Sequence, residues 1–288
     1  MRTFALTLAV ATLAASTAVA DPVKVVAAEN FYGDLARQIG GANVAVTSIL
    51  SNPDQDPHLF EASPETAKAI AGARIAIANG ADYDPWMQKL LSASKAPARK
   101  VIVVGELIGT KPGANPHLWY APATIEKAAD AVAATLAAVD PAHAADYRKG
   151  AAGFRASMQP VESKIADMRK RYANMPIAAS EPVFGYAAQA IGLDVREQKF
   201  ALAVMNDTEP SPSDVAGFES DLKGHKVRAM LYNSQASEPA VEKLVALAKE
   251  NKIPVVGVTE TEPADARYQD WVAGELDALD KALGTPIN

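Results

Sequence analysis

The sequence predicts an α/β protein, with two α/β lobes of mostly parallel sheet joined by one long connector helix. Three observations carry this. Short apolar runs alternate with helical periodicity from Val23 to Val104. The alternation then gives way to two helical stretches ending at Tyr172, and it resumes after Asn174. Strands alternating with helices are the pattern of a parallel sheet covered on both faces.

In the first lobe, strands are expected over Val23 to Ala27, Val44 to Leu50, Arg74 to Ala78 and Lys100 to Val104. Helices are expected over Phe31 to Ile39, ended by Gly40-Gly41, and over Asp84 to Ser94. A third helix opens at Ser63-Pro64-Glu65, with Ser63 as N-cap and Pro64 in the first turn. Pro122 to Val139 is helical. The connector is expected over Pro141 to Tyr172, with Pro160 kinking it. Two shorter helices broken near Gly150 or Pro160 are the alternative. In the second lobe, strands are expected over Ile177 to Ser180, Val227 to Tyr232 and Pro254 to Val258. Helices are expected over Phe184 to Ile191, Ser213 to Leu222, Glu238 to Asn251 and Tyr268 to Leu283.

The chain opens with Arg2, an apolar run from Ala5 to Ala15, and Ala18-Val19-Ala20, which fits a small-x-small cleavage site. Residues 1–20 therefore read as a cleaved signal peptide, and export to the periplasm is expected. The other expected units are 21–140 (first lobe, metal-binding), 141–173 (connector) and 174–288 (second lobe). There is no cysteine, hence no lipid attachment site, disulfide or thiolate metal site. Cleavage removes one charge, Arg2, so the net charge of -6 becomes -7. That balance argues against nucleic acid and against a polybasic membrane surface.

Four histidines are present. Two sit in near-identical pentapeptides, Asp56-Pro57-His58-Leu59-Phe60 and Asn115-Pro116-His117-Leu118-Trp119. Each proline stiffens its loop, and the apolar pair after each histidine can anchor it. Loops at the carboxyl ends of parallel strands are where α/β sheets bind ligands. A rigid neutral imidazole there suits a transition metal. His143, placed on the connector, and His225, in a turn, read as solvated. The second lobe offers Glu181 and Glu260 directly after strands, with Glu262 on the same loop as Glu260. Two imidazoles and two carboxylates make a site closed by protein for Mn, Fe or Zn; Ca and Mg prefer oxygen alone.

With Ser180 to Tyr186, Glu209-Pro210-Ser211-Pro212, Tyr232-Asn233-Ser234-Gln235 and Val258-Thr259-Glu260-Thr261, these loops resemble the cluster A-I metal receptors of zinc and manganese ABC importers. The resemblance covers essentially the whole chain after residue 20. It implies two lobes joined by a long helix that moves little, and one divalent ion held by His58, His117, Glu181 and Glu260. It further implies periplasmic capture, delivery to the membrane permease of an ABC importer, a monomer and no enzymatic activity. Zinc-selective members often carry a third histidine where this chain has Glu181, and a His- and Asp-rich loop where Lys111 to Ala114 is short. That leans toward manganese or iron, although Zn binds N/O sites more tightly than Mn. A gapless count from Pro254 would make Glu262 the fourth ligand instead of Glu260. A periplasmic metallochaperone, or a metal-dependent hydrolase using Glu181 as base, are the competing functions.

Overall fold

Eight strands among the described residues fall into two four-stranded sheets wound to the same plan. The computed structural model describes residues 21–52, 60–111, 113–236 and 238–285. The expected signal peptide and His58 lie outside these residues. The first sheet is formed by β1 (Val23–Glu29), β2 (Val44–Leu50), β3 (Ile75–Ala78) and β4 (Lys100–Val103), in the order β2-β1-β3-β4. Around it lie α1 (Asn30–Gly40), α2 (Pro64–Gly72), α3 (Pro85–Ala93) and the single turn α4 (Val104–Leu107). All pairings in this sheet are parallel. Central β3, Ile-Ala-Ile-Ala, is buried throughout, whereas edge strand β2 alternates. That contrast follows from helices covering both faces of the sheet's middle.

α5 (Pro122–Val139) follows, then a 3-10 turn over Pro141–His143, then α6 (Ala144–Tyr172). At about 1.5 Å per residue, the 29 residues of α6 span roughly 44 Å. α6 runs through Pro160 as one helix, so the two-helix alternative falls. His143 sits in the preceding 3-10 turn rather than on the long helix, because Pro141 opens a separate turn there. α6 packs on α1 and α5 beside the first sheet and on α7 and α11 beside the second. At its far end Arg171 donates to both carboxylate oxygens of Asp280 at 2.7 and 2.9 Å.

The second sheet comprises β5 (Pro176–Ala179), β6 (Asp194–Arg196), β7 (Met230–Asn233) and β8 (Val255–Val258), in the order β6-β5-β7-β8 and again all parallel. Its helices are α7 (Gly185–Ile191), α8 (Gln198–Met205), α9 (Pro212–Lys223), α10 (Pro239–Glu250) and α11 (Tyr268–Gly284). Sequence reading leaves 192–212 without an element, yet β6 and α8 lie there. β6 is a three-residue edge strand reading Asp-Val-Arg, with no apolar run to mark it. α8 begins after Glu197 at φ 59, with no side-chain cap to announce it. In each sheet the strand order reverses beside the first strand, which creates a crevice at the carboxyl edge. No helix among the described residues is long and apolar enough to cross a membrane.

An aromatic wedge joins the two halves. Phe31 of α1 packs on Trp119 at 4.6 Å and on Trp271 of α11 at 5.9 Å between ring centroids. Tyr120 packs on Trp271 at 5.4 Å. One continuous hydrophobic core thus runs from α1 through α6 to α11.

Two glycines of α6 test its packing. A Cβ at Gly150 would lie 2.2 Å from the Ile39 carbonyl of α1, whereas one at Gly153 meets nothing within 4 Å. Gly150→Ala should therefore cost about 2 kcal/mol or more through overpacking. Gly153→Ala should add up to about 1 kcal/mol through helix propensity. Thermal unfolding of the two variants should shift in opposite directions.

Candidate metal centre

The His117 loop is held from both sides. Asn115 Oδ1 accepts from the His117 backbone N–H at 3.0 Å and meets His117 Nδ1 at 2.6 Å. Since Asn115 Nδ2 donates to the Pro182 carbonyl at 2.7 Å, its oxygen must face the ring, and Nδ1 is the protonated nitrogen. The Nε2 lone pair is then left toward Glu260 Oε2, 3.4 Å away. Behind the loop, Asn79 Nδ2 donates to the Pro116 carbonyl at 2.9 Å. Asp84 in turn accepts the Asn79 and Gly80 backbone N–H groups, both at 2.8 Å. Leu118 and Trp119 are wholly buried and anchor the loop as the sequence suggested, and Tyr120 is buried beside them. In the other pentapeptide, Phe60 packs on Trp86 of α3 at 4.4 Å between centroids, while His58 itself lies outside the described residues.

The second lobe contributes acids from its carboxyl edge. Glu181 follows β5, Glu260 follows β8, and Asn233 ends β7 between them. Asn233 Nδ2 donates to Glu181 Oε2 at 2.9 Å and to Glu260 Oε1 at 2.5 Å. Gln235 accepts the backbone N–H groups of Glu260 and Thr261 at 2.5 and 3.1 Å, fixing the loop that carries the acid.

His117, Glu181 and Glu260 each present one ligand atom, and these atoms lie within 4.8 Å of one another. Their residues are 0 %, 5 % and 0 % exposed. Two carboxylates this close and this buried strongly favour a cation between them. Glu262 is also buried but sits elsewhere: its backbone N–H donates to Asn30 Oδ1 at 3.0 Å, against α1. Burial, then the Asp34 carboxylate, push it up to about 9. His143 keeps the surface position expected of it, Nδ1 lying 2.7 Å from Asp140 Oδ2, and His225 is exposed in a turn.

Several supporting residues were missed in the sequence. Asn115 and Asn233 stood inside motifs without a role. Tyr83 packs its ring 6.0 Å from that of His117, and burial, then the Glu260 carboxylate, hold its phenol well above its ordinary range. Glu275 on α11 accepts the Thr259 backbone N–H at 2.9 Å and the Trp271 indole N–H at 3.0 Å, and it pairs with Tyr120 Oη at 2.5 Å. Burial pushes Glu275 up to about 7. Tyr120 Oη also donates to the Thr259 carbonyl at 2.6 Å, so the loops carrying His117 and Glu260 are tied through one carboxyl group. No sequence signal separates Glu275 from the exposed acids of a helix.

A family profile described as ZnuA, zinc-uptake complex component A, periplasmic, matches residues 25–282. The manganese-binding lipoprotein MntA of Bacillus subtilis (strain 168) is 26 % identical, over 98 % of this chain and 96 % of its own. The iron-binding protein YfeA of Yersinia pestis is 22 % identical, over 88 % and 79 %. The periplasmic zinc binding protein TroA from Treponema pallidum shares the fold, with a TM-score of 0.78 at 18 % identity, over 92 % of this chain and 100 % of that one.

Asn233→Leu removes the donor shared by two buried acids. It should cost the metal-free protein about 3 kcal/mol, as expected when buried charges lose hydrogen bonds. Saturating metal should recover part of that loss in denaturant unfolding. Glu275 holds its proton in the fold at a pKa of about 7, against an ordinary 4.5. Its contribution to stability is therefore complete below about pH 4.5 and is lost as pH rises through about 7. Glu275→Gln should remove that part of the pH slope in unfolding free energy measured from pH 4 to 8.

Proposed function

The chain belongs to the ZnuA family of periplasmic metal-uptake receptors, and we propose that it captures one divalent transition-metal ion between its two sheets and hands it to the permease of an ABC importer. The observation that carries this reading is the buried cluster of His117, Glu181 and Glu260 at the apposed carboxyl edges, with ligand atoms within 4.8 Å. In this reading His58, on the other Pro-His-Leu-aromatic loop, completes a shell of two imidazoles and two carboxylates. Glu260 is favoured over Glu262 as the fourth ligand because its carboxylate faces His117 Nε2 at 3.4 Å. The donor set is the kind that takes Mn, Fe or Zn and leaves Ca and Mg to all-oxygen shells. Manganese, iron and zinc are also the metals that the names of the similar proteins carry. Membership of this family makes the chain a binding component rather than an enzyme.

The remaining features fit export and capture. Residues 1–20 act as the cleaved signal. Residues 21–140 and 174–288 act as the two lobes, and 141–173 as a connector that stays stiff while they close on the ion. The receptor works as a monomer.

Thermal unfolding of the metal-stripped chain from Asp21, titrated with Mn, anaerobic Fe(II), Zn, Ca and Mg, tests the reading. A ligand at about 1,000 times its dissociation constant adds about 4 kcal/mol to the folded state. The transition metals should raise the transition, and Ca and Mg should leave it in place. His58→Ala and His117→Ala should each lose most of the shift, and His143→Ala none. Equal shifts in all three variants, or no shift with any metal, would end the proposal.

A further inference from the structure

The Asn115 carboxamide uses both its ends, and the two ends belong to different halves of the molecule. Its oxygen takes the ring N–H of His117 at 2.6 Å and the His117 backbone N–H at 3.0 Å, both on the first lobe's loop. Its nitrogen donates to the Pro182 carbonyl at 2.7 Å, in the turn directly after Glu181. The Asn115 carbonyl accepts a second bond from that side, from Tyr186 Oη at 2.8 Å. Gly185 makes room for this contact, since a Cβ there would lie 2.8 Å from Asn115 Nδ2. A cavity of about 550 Å³, lined by Asn115, Glu181, Pro182, Gly185 and Tyr186, opens beside the contact.

From this geometry, and resting on the metal reading above, we propose that Asn115 is a positioning residue that sets His117 for the ion and latches its loop to the second lobe. A ring nitrogen bound to an acceptor fixes which nitrogen faces a metal, and losing such a partner commonly weakens affinity about 10- to 100-fold. Here the acceptor is itself oriented by the opposite lobe. Opening the lobes breaks the Pro182 bond and leaves the carboxamide held only from the His117 side. Closure of the lobes therefore steadies the group that sets His117.

The test uses the whole chain from Asp21 with Asn115→Ala, Asn115→Asp, Gly185→Ala and Tyr186→Phe. Circular dichroism and melting identify the variants that fold. Imidazole ¹⁵N NMR of the metal-free protein reads the His117 tautomer, cobalt(II) competition with a chromophoric chelator reads affinity, and transfer to excess chelator reads release. Asn115→Ala should mix the tautomers and weaken cobalt about 10- to 100-fold. Asn115→Asp keeps the acceptor for Nδ1 but turns an oxygen toward the Pro182 carbonyl. It should keep the tautomer and speed release. Gly185→Ala should also speed release, with Asn115 itself intact. Tyr186→Phe, which removes one hydroxyl, carries the latch test if Gly185→Ala does not fold. A wild-type tautomer and affinity in Asn115→Ala overturn the positioning role. Wild-type release from Asn115→Asp and from the folded latch variant overturns the latch. A wild-type chain that takes up no cobalt, zinc or manganese overturns the metal reading instead, and the tautomer, measured without metal, still decides the positioning role.

Discussion

Two glutamate carboxylates brought together out of water are the constraint around which this structure is organised. Their ligand atoms lie with that of His117 inside a 4.8 Å cluster, and neither residue is more than 5 % exposed. Close buried acids repel each other and lose hydration, so they need fixed donors or a cation. The donors are visible in Asn233, whose single amide nitrogen reaches both acids, and in Gln235, which pins the backbone under Glu260. Neutral amides orient the carboxylates without cancelling their charge. The attraction for a divalent ion is thereby kept. Because such a site exists only when both lobes are folded, binding free energy becomes folding free energy.

The rest of the fold serves to bring two sheet edges face to face. Each sheet reverses its strand order beside its first strand, so each offers a crevice at its carboxyl edge. Behind the ligands, contact between the halves is aromatic and hydrogen-bonded together. Tyr268 Oη donates to the Trp119 carbonyl at 2.5 Å, and Tyr120 reaches Thr259 and Glu275. The residues that follow His117 in the chain are thus the ones that fill the seam. α6 runs alongside, in contact with helices of both halves, and continues through Pro160 as one helix.

The chemistry of the donors sets what the site can discriminate. Carboxylates beside imidazole reject ions that demand all-oxygen shells, yet affinity for such sites rises from Mn through Fe toward Zn whatever the protein prefers. Donor type alone therefore does not select among these three.

Much was legible in the sequence. Alternating apolar runs and helical periodicity specified two α/β halves, and Ser63-Pro64 opens α2 as its cap chemistry requires, Ser63 Oγ accepting from Thr66 N at 3.2 Å. The repeated Pro-His-Leu-aromatic loops and the acids after β5 and β8 were readable because they are local: a residue type, a stiffening proline and a strand end. Short edge elements such as β6 escaped because three residues carry too little pattern. What only the tertiary structure decided is which distant groups meet. Glu260 and Glu262 stand two residues apart with the same side chain, yet the Glu260 carboxylate faces His117, whereas Glu262 is held at Asn30 of α1 by its backbone. Asn115, Asn233 and Glu275 acquire their roles from partners 67, 27 and 155 positions away. Sequence spacing encodes local backbone conformation. The packing of two lobes against each other decides which side chains share a site.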